Sequence, residues 1–251
     1  MKILLTLSYL GTNFHGWQVQ PGCRTVQATL QEACEALFGC AVDITGCSRT
    51  DAGVHANRFC ATASPKEGSF INRIPAERIP AALNVKLPRD LSVIDACEVP
   101  DDFHARYDVI SKEYEYLIRD RLPRSPFYED RAWQIPRPLD EALMNAACAP
   151  FIGRHDFGGF MASGSDIADT VRTIRSFRVF RCGELVHIRV SADGFLYNMV
   201  RILTGTLVAV SEGKITVGDL PGIIASRDRT RAGNTAPAHG LYLNNVIYPD
   251  F

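Results

Sequence analysis

Hydrophobic and polar residues alternate at the start of the chain and then recur with a helical period. Residues 2–9 alternate and are rich in Leu, Ile and Thr, which predicts a β-strand. Apolar residues at positions 26, 30, 33 and 37 then fall on one helical face, with Thr25 placed as the N-cap and an end near Gly39. Further strands are predicted at residues 41–45, 58–63 and 91–98, and a second helix at 75–83.

The same kinds of element recur in the second part of the chain. They are a strand at 112–119, a helix at 140–151, a hairpin of strands 173–180 and 185–191, a helical run at 195–210 and a strand at 240–247. Four prolines in residues 123–138 indicate a loop within this set rather than a linker. The order predicts an α+β fold of two similar halves that join near Arg106, as domains 1–106 and 107–251.

Composition is typical of a soluble globular protein. Of the 251 residues 46% are hydrophobic, so the chain can bury a sizeable core. The longest apolar stretch is interrupted by Asp193, Asn198 and Arg201, and the N-terminus lacks a signal-peptide pattern, so we expect no membrane association. Eight cysteines without a CxxC pair predict reduced thiols in the cytoplasm, and the six histidines lack the spacing of a metal site.

Charge is distributed unevenly although the net charge is only −1. Residues 1–171 hold 17 basic and 22 acidic side chains, whereas residues 172–251 hold 10 and 6. Of the 27 basic residues 22 are arginine, which pairs with phosphate, although such a bias can also be a habit of the genome. Two arginine triplets are therefore interpreted either as solvated rims or as RNA contacts. They are Arg172, Arg175 and Arg178, and Arg227, Arg229 and Arg231.

The segment SRTDAGVHA places a carboxylate, a guanidinium and two hydroxyls on one predicted loop. They belong to Asp51, Arg49, Ser48 and Thr50. Loops on a rigid scaffold are where binding and catalytic groups concentrate. One alternative is a turn whose side chains satisfy the local backbone. Another is a metal pair of Asp51 with His55, although no third ligand lies nearby in the sequence.

Arg201 lies in the middle of the apolar run 195–210. An unpaired buried guanidinium costs several kcal/mol, so a carboxylate partner is expected unless the side chain extends to the surface along its methylenes. Asp51 is a candidate partner. Such a pair would keep the carboxylate ionised, which suits a nucleophile or a base rather than a general acid.

Aromatic and charged residues alternate in residues 101–116. Tyr114 lies on one face of the predicted strand 112–119, and Phe103, His104 and Arg106 precede it near the join of the halves. Aromatic side chains on a sheet are most often part of the core. The alternative is that these four residues stack on a nucleobase and hold its phosphates.

Seven ordered segments resemble the tRNA pseudouridine synthase A family, and the resemblance covers nearly the whole chain. The segments are YLGTNFHGWQVQ, TVQATL, SRTDAGVHA, LNVKLPRDLSV, DDFHARYDVISKEYEYLI, NMVRILTGTL and HGLYLNNVIY. SRTDAGVHA is the most specific of them, because the family's catalytic aspartate matches Asp51.

The resemblance implies an enzyme that isomerises uridine to pseudouridine at positions 38, 39 and 40 of the tRNA anticodon stem-loop, without cofactor or metal. It also implies two RRM-like (ferredoxin-like) α+β halves with mainly antiparallel sheets that meet at a central cleft. A cytoplasmic homodimer is expected, in which one tRNA touches both subunits. Because the net charge is near zero, tRNA binding would depend on a local arginine surface pooled across the two subunits.

Residue roles follow from the same resemblance. Asp51 is expected to be the nucleophile or base, Arg201 its ion-pair partner, and Tyr114 the ring stacked on the target uracil and a candidate acceptor of its C5 proton. Arg49 is expected to help displace the target base, with a leucine packed beneath that base. The other candidate substrate-binding residues are Leu241 or Leu243 for that leucine, and Arg24, Phe103, His104 and Arg106.

Two other functions fit the same residues. A non-catalytic RNA-binding module would use the aromatic and arginine surface without modifying a base. An N-glycoside hydrolase would also place a carboxylate beside a ribose, but it usually needs a second carboxylate, which the SRTDAGVHA loop lacks. For a synthase, the sequence leaves open whether the carboxylate adds at C1′, adds at C6 or removes a proton from C2′.

Overall fold

A computed structural model describes residues 2–164 and 167–249 of the chain. The chain divides into two compact units, one of Met1–Ile110 with Tyr242–Phe251 and one of Ser111–Leu241. The predicted domains, 1–106 and 107–251, place their boundary slightly earlier and assign the end of the chain to the second part. Residues 1, 165, 166, 250 and 251 of those predicted domains lie outside the described residues. The division into two domains stays a prediction.

Both units contain helices and strands. In chain order they are β1 (Lys2–Tyr9), α1 (Val26–Phe38), β2 (Val42–Gly46), β3 (His55–Pro65), α2 (Ile79–Asn84), β4 (Leu91–Val99), β5 (Ser111–Arg119), β6 (Trp133–Gln134), α3 (Glu141–Ala146), β7 (Gly153–Asp156), β8 (Val171–Cys182), β9 (Leu185–Ala192), α4 (Met199–Ser211), α5 (Leu220–Ser226) and β10 (Leu241–Ile247). The fold is therefore α+β, with mostly antiparallel strand pairing and few helices, as the sequence predicted.

The sheet of the first unit is built around β1. Strands β3 and β4 pair antiparallel with its two edges. The other edge of β3 is shared, because β2 pairs antiparallel with its end and β10 pairs parallel with its start, where Tyr242 lies opposite His55. Helix α1 begins and ends as predicted: the Thr25 side chain accepts a hydrogen bond from the Ala28 amide, and Gly39 adopts the left-handed conformation that ends many helices.

The sheet of the second unit has the order β5-β9-β8-β7, with antiparallel pairing throughout, and β6 adds parallel to β5. Alternation along β5 separates its two faces. Tyr114 and Tyr116 lie opposite Val190 and Ile188 of β9, and all four side chains are buried. This face forms the core of the unit, and the intervening residues of the same strands form the other face.

Two predicted helices of the second unit are wrong at one end. The helix predicted at 140–151 is α3 alone, and Pro150 lies in a separate short 3₁₀ turn, Ala149–Phe151. The helix predicted from residue 195 begins only at Met199, because Asn198 adopts a left-handed conformation with φ of 60°. Apolar spacing cannot locate these ends, since it records which face is buried and not where the backbone changes direction.

The described residues form neither a membrane-spanning helix nor a cluster of metal-ligand side chains. Over residues 2–164 and 167–249, each helix is too short or too polar to cross a membrane. Within the same part of the chain, histidine, cysteine, aspartate and glutamate side chains do not gather in groups of three that could hold a metal ion.

A buried ion pair stabilises the second unit. Asp120, which is 3% exposed, accepts two hydrogen bonds from Arg181, at 2.8 and 2.7 Å, and one from the Leu139 amide at 2.9 Å. Burial alone would raise the pKa of Asp120, but these hydrogen bonds and the positive charge of Arg181 outweigh it and lower the pKa below its usual value.

We expect Asp120→Asn to lower the free energy of unfolding by about 2 kcal/mol at neutral pH, because Arg181 loses one of its two carboxylate partners and keeps only Glu141. Since the folded-state pKa is lowered, this stabilisation is present above the unfolded pKa of about 3.9 and is lost as pH falls through the folded value. Urea unfolding at about pH 7 and about pH 3 measures both effects. The exposed Asp102, changed to Asn, is the control. If the unmodified protein and Asp120→Asn differ in free energy of unfolding as much at about pH 3 as at about pH 7, this explanation is contradicted.

Candidate active site

Asp51 lies in the first unit, on the loop between β2 and β3. Its side chain is half-buried, next to the buried Thr50 and the exposed Ala52. The preceding Arg49 is exposed. The loop therefore presents a carboxylate and a guanidinium close to solvent, while its neighbours belong to the core.

The segment 11–17 holds this loop in place. The Trp17 amide donates to the Thr50 carbonyl at 3.0 Å, and the Gly53 amide donates to the Phe14 carbonyl at 3.4 Å. The hydroxyls of Tyr9 and Thr50 share a buried hydrogen bond of 2.8 Å. Bonds on both sides of Asp51 thus fix the backbone from which its carboxylate projects.

Two glycines permit this close approach of segments 11–17 and 50–55. A Cβ on Gly11 would lie 2.0 Å from the Val54 carbonyl oxygen, closer than any side-chain atom can approach. Gly16 has φ of +79°, and a Cβ there would lie 2.5 Å from the Thr50 oxygen. Neither glycine stands out in the sequence, because the clash exists only once the two segments have met.

His55 is fully buried and belongs to the packing of the first unit. Its Nδ1 accepts a hydrogen bond from the Gly11 amide at 2.8 Å, and its ring packs on Tyr242 at 4.6 Å between centroids. The proposed metal pair with Asp51 therefore has one nitrogen of its histidine already occupied. The geometry favours a structural role for this histidine.

Arg24 of the first unit is held by a carboxylate and an aromatic ring. Its guanidinium forms two hydrogen bonds to Asp90, at 2.8 and 2.7 Å, and lies 4.1 Å from the centre of the Phe14 ring. Hydrogen bonding to Arg24 lowers the pKa of Asp90, and the reverse contact raises the pKa of Arg24. The contact of Arg24 with RNA stays a prediction.

The segment 103–107 combines a core aromatic residue with an exposed cluster. Phe103 is buried and packs on Tyr248 at 5.1 Å. His104 accepts hydrogen bonds from the amides of Arg106 and Tyr107 through Nδ1, at 3.0 and 3.3 Å. Tyr107 is 74% exposed, with the His104 ring at 4.3 Å and the Arg106 guanidinium at 5.8 Å. Sequence reasoning missed Tyr107, although it lies in the aromatic segment.

Arg201 is held on α4 of the second unit by two defined contacts. Its Nε donates to the Ala236 carbonyl at 2.7 Å, and its Nη1 donates to Asn198 Oδ1 at 2.6 Å. The Ala236 amide returns a hydrogen bond to the Arg201 carbonyl at 3.1 Å. The side chain is half-buried, so the guanidinium is oriented by the protein rather than extended freely into solvent.

The loop that supplies the Ala236 carbonyl packs tightly on α4. A Cβ on Gly205 would lie 1.7 Å from the Asn234 oxygen, and Thr206 Oγ1 accepts from the Gly233 amide at 2.9 Å. Arg229 donates to the Gly233 carbonyl at 2.9 Å, which gives this member of the second arginine triplet a structural role. Burial lowers the pKa of Arg229.

Tyr114 and Tyr116 share the buried face of β5. The ring of Tyr114 contacts Phe195 edge-on at 5.1 Å and is 6% exposed. The Tyr116 hydroxyl donates to the Pro237 carbonyl at 2.7 Å, and burial raises the pKa of Tyr116 above its usual value against the effect of nearby Arg201. Gly240 is required here, since a Cβ would lie 2.5 Å from the Tyr116 ring.

The two candidate leucines both lie on β10 and are buried. Leu241 is 6% exposed and is the last residue of the second unit. Leu243 is fully buried and belongs to the first unit. Their burial is compatible with either residue packing beneath a base. The choice between them stays a prediction.

The Asp51 loop is fixed by backbone hydrogen bonds, and the Arg201 guanidinium is oriented by Ala236 and Asn198. Charged groups held in place by the fold are typical of an enzyme rather than of a passive scaffold. Residues 6–108 and 147–249 match the family described as tRNA pseudouridine synthase. The chain belongs to this family. Its members are isomerases that act on tRNA, and the chain is an enzyme of this class.

Individual relatives match along nearly their whole length. The tRNA pseudouridine synthase A of Ruminiclostridium cellulolyticum is 44% identical over 250 residues, covering 98% of this chain and 99% of the relative. The enzyme of the same name from a Thermoanaerobacter species is 44% identical over 247 residues, with the same coverage. That of a Geobacter species is 42% identical over 251 residues, covering 99% of each chain.

Proposed function

We propose that the chain converts uridine to pseudouridine at positions 38, 39 and 40 of the tRNA anticodon stem-loop. Membership of the family supports the reaction. The observation that carries the assignment of its catalytic group is the SRTDAGVHA loop, in which hydrogen bonds on both sides of Asp51 fix the backbone. The stem-loop positions come from the resemblance of the sequence.

The reaction is an isomerisation that needs one ionised carboxylate beside the ribose. The N1–C1′ bond breaks, the uracil turns within the pocket, and C5 bonds to C1′. The C5 proton leaves, and N1 gains a proton, so that atoms balance and no oxidant or reductant is required. Asp51 acts as the nucleophile or the base, and Arg201 pairs with it and keeps it ionised. We propose that no cofactor and no metal takes part.

The remaining candidates hold the target nucleotide. Flipping the base out of its stack costs a few kcal/mol, and stacking on an aromatic ring returns about 1–3 kcal/mol. Tyr114 supplies that ring, Arg49 helps displace the base, and Leu241 or Leu243 packs beneath it. The half-buried His104 and the exposed Arg106 contact the RNA. Phe103 and Arg24 have core or ion-pair contacts, which favour support of the neighbouring segments in addition to any contact with RNA.

The arrangement of the whole enzyme is also part of the proposal. The two halves are RRM-like and meet at a central cleft that holds the target base. Two copies form a homodimer, so that one tRNA touches both subunits, and the enzyme works in the cytoplasm. The excess of basic over acidic residues in 172–251 supports an anionic partner.

Nucleoside mapping of an unmodified tRNA, before and after incubation with the protein, tests the proposal. We expect pseudouridine at positions 38, 39 and 40 wherever the tRNA carries uridine there, together with release of tritium from uracil labelled at C5. Free uracil in the products would identify a hydrolase instead. Binding of tRNA without any modified nucleoside would identify an RNA-binding module, and pseudouridine outside the anticodon stem-loop would contradict the assigned positions.

A further inference from the structure

The face of the second-unit sheet opposite Tyr114 carries two arginines side by side. In the register of the sheet, Glu115 of β5 lies opposite Arg189 of β9, and Arg189 lies opposite Arg178 of β8. Like charges directly opposite on neighbouring strands destabilise a sheet. The arrangement therefore requires an explanation beyond the fold.

The only carboxylate in this row is already engaged. Glu115 Oε1 accepts from Arg189 Nε at 2.7 Å and from His187 Nδ1 at 2.9 Å. Burial alone would raise the pKa of Glu115, but these two hydrogen bonds lower it below its usual value, so the group is an anion at neutral pH. Glu115 therefore pairs with Arg189 and His187. Arg178 lies on the far side of Arg189 in this row and is not paired with Glu115.

Arg178 is exposed and is held in place by an aromatic ring. Its guanidinium carbon lies 5.4 Å from the centre of Phe180, and that of Arg189 lies 5.3 Å from the same centre. The His187 ring stacks on Phe180 at 5.1 Å. In the part of the chain that the structure describes, the Arg178 side chain makes no ion pair or hydrogen bond. An ordered guanidinium beside a second one fits an anion better than a neutral partner.

We propose that Arg178 and Arg189 form a docking surface for the phosphate backbone of RNA, on the sheet face opposite Tyr114. The inference rests on the proposed function, because tRNA is the ligand. The Phe180 ring is covered by His187 and the two guanidiniums, so the surface binds phosphate rather than stacking on bases. Its contribution is consequently independent of sequence and sensitive to salt.

Binding of an unmodified tRNA transcript at several salt concentrations tests the surface. Arg178→Gln keeps much of the aliphatic stem over Phe180 and removes the charge. We expect about tenfold weaker binding, the change that one lost charge-assisted hydrogen bond supports, and a salt slope smaller by about one. Arg178→Lys should retain most of the slope. The control is Arg124→Gln, because Arg124 is an exposed arginine of the same unit that already pairs with Glu129 at 3.0 Å.

Two results would overturn the surface. One is equal affinity and salt slope for Arg178→Gln and Arg124→Gln. The other is a change of molecular mass in sedimentation for Arg178→Gln, which would mean that this face joins two copies of the chain. Failure here is distinct from failure of the proposed function. Pseudouridine formation with no effect of Arg178→Gln refutes the surface alone, whereas an altered salt slope without any modified nucleoside refutes the synthase alone.

Discussion

Replacing Asp51 with asparagine is expected to reduce pseudouridine formation by at least about 10³-fold, because the amide has the shape of the carboxylate but neither its charge nor its basicity. The proposed reaction places no other group where it could take over that role. Tritium release from tRNA labelled at uracil C5 measures the loss, under single-turnover conditions with enzyme in excess.

The fold should tolerate this change, since the loop is fixed through the backbone and through Thr50 rather than through Asp51 alone. The Trp17 amide bonds the Thr50 carbonyl and the Tyr9 hydroxyl bonds the Thr50 hydroxyl, and both contacts are unchanged by the substitution. Asp43→Asn is the matched control, because Asp43 is an exposed aspartate on β2 of the same unit. Activity of Asp51→Asn within tenfold of the control would contradict the assigned role of this carboxylate.

The sequence predicted an element correctly where particular residues, such as a helix cap, mark its ends. Helix α1 is confirmed at both ends, because Thr25 caps its first turn and Gly39 supplies a left-handed residue after its last. Strand β1 is confirmed over its full length, although residues 3–7 are all buried instead of alternating between buried and exposed. The start of α4 was predicted too early, because Asn198 breaks an apolar run that looks continuous in the sequence.

Short elements escaped prediction for a different reason. Strand β7 has four residues and α5 has seven, which is too few for either period to stand out from irregular sequence. The pairing of β10 with β3 joins residues almost two hundred positions apart. No local pattern records such a contact, because it forms only after the intervening chain has folded.

The candidate site shows the same division between local and distant information. Two unusual features can be recognised in the sequence itself. One is the cluster of charged and hydroxyl residues in SRTDAGVHA, and the other is a charged arginine within an apolar helix. The groups that orient them are not visible, since Gly16 meets Thr50 and Ala236 meets Arg201 only through the fold. Sequence therefore indicates which residues are chemically unusual, and structure adds which ordinary residues hold them.

Replacing Arg201 is expected to have the second-largest effect on activity. Lysine keeps the charge but has a single ammonium group in place of the planar guanidinium that contacts both Ala236 and Asn198. If Arg201 pairs with Asp51 as proposed, we expect Arg201→Lys to lower the single-turnover rate about 10²-fold and Arg201→Met to lower it further. The exposed Arg121, changed to Lys, is the control.

The pH dependence separates a loss of charge from a loss of packing. A carboxylate without its cationic partner binds a proton more readily, so the acidic limb of the activity profile should move to higher pH in Arg201→Met. Asn198→Gly removes one contact of Arg201, keeps the charge of the arginine and tolerates the left-handed φ of 60°, so it should lower the rate less than Arg201→Met and leave the acidic limb nearly unchanged. Thermal unfolding of each variant measures the loss of packing separately. A profile for Arg201→Met that falls in height without moving would mean that Arg201 supports the fold of α4 and does not act on the carboxylate.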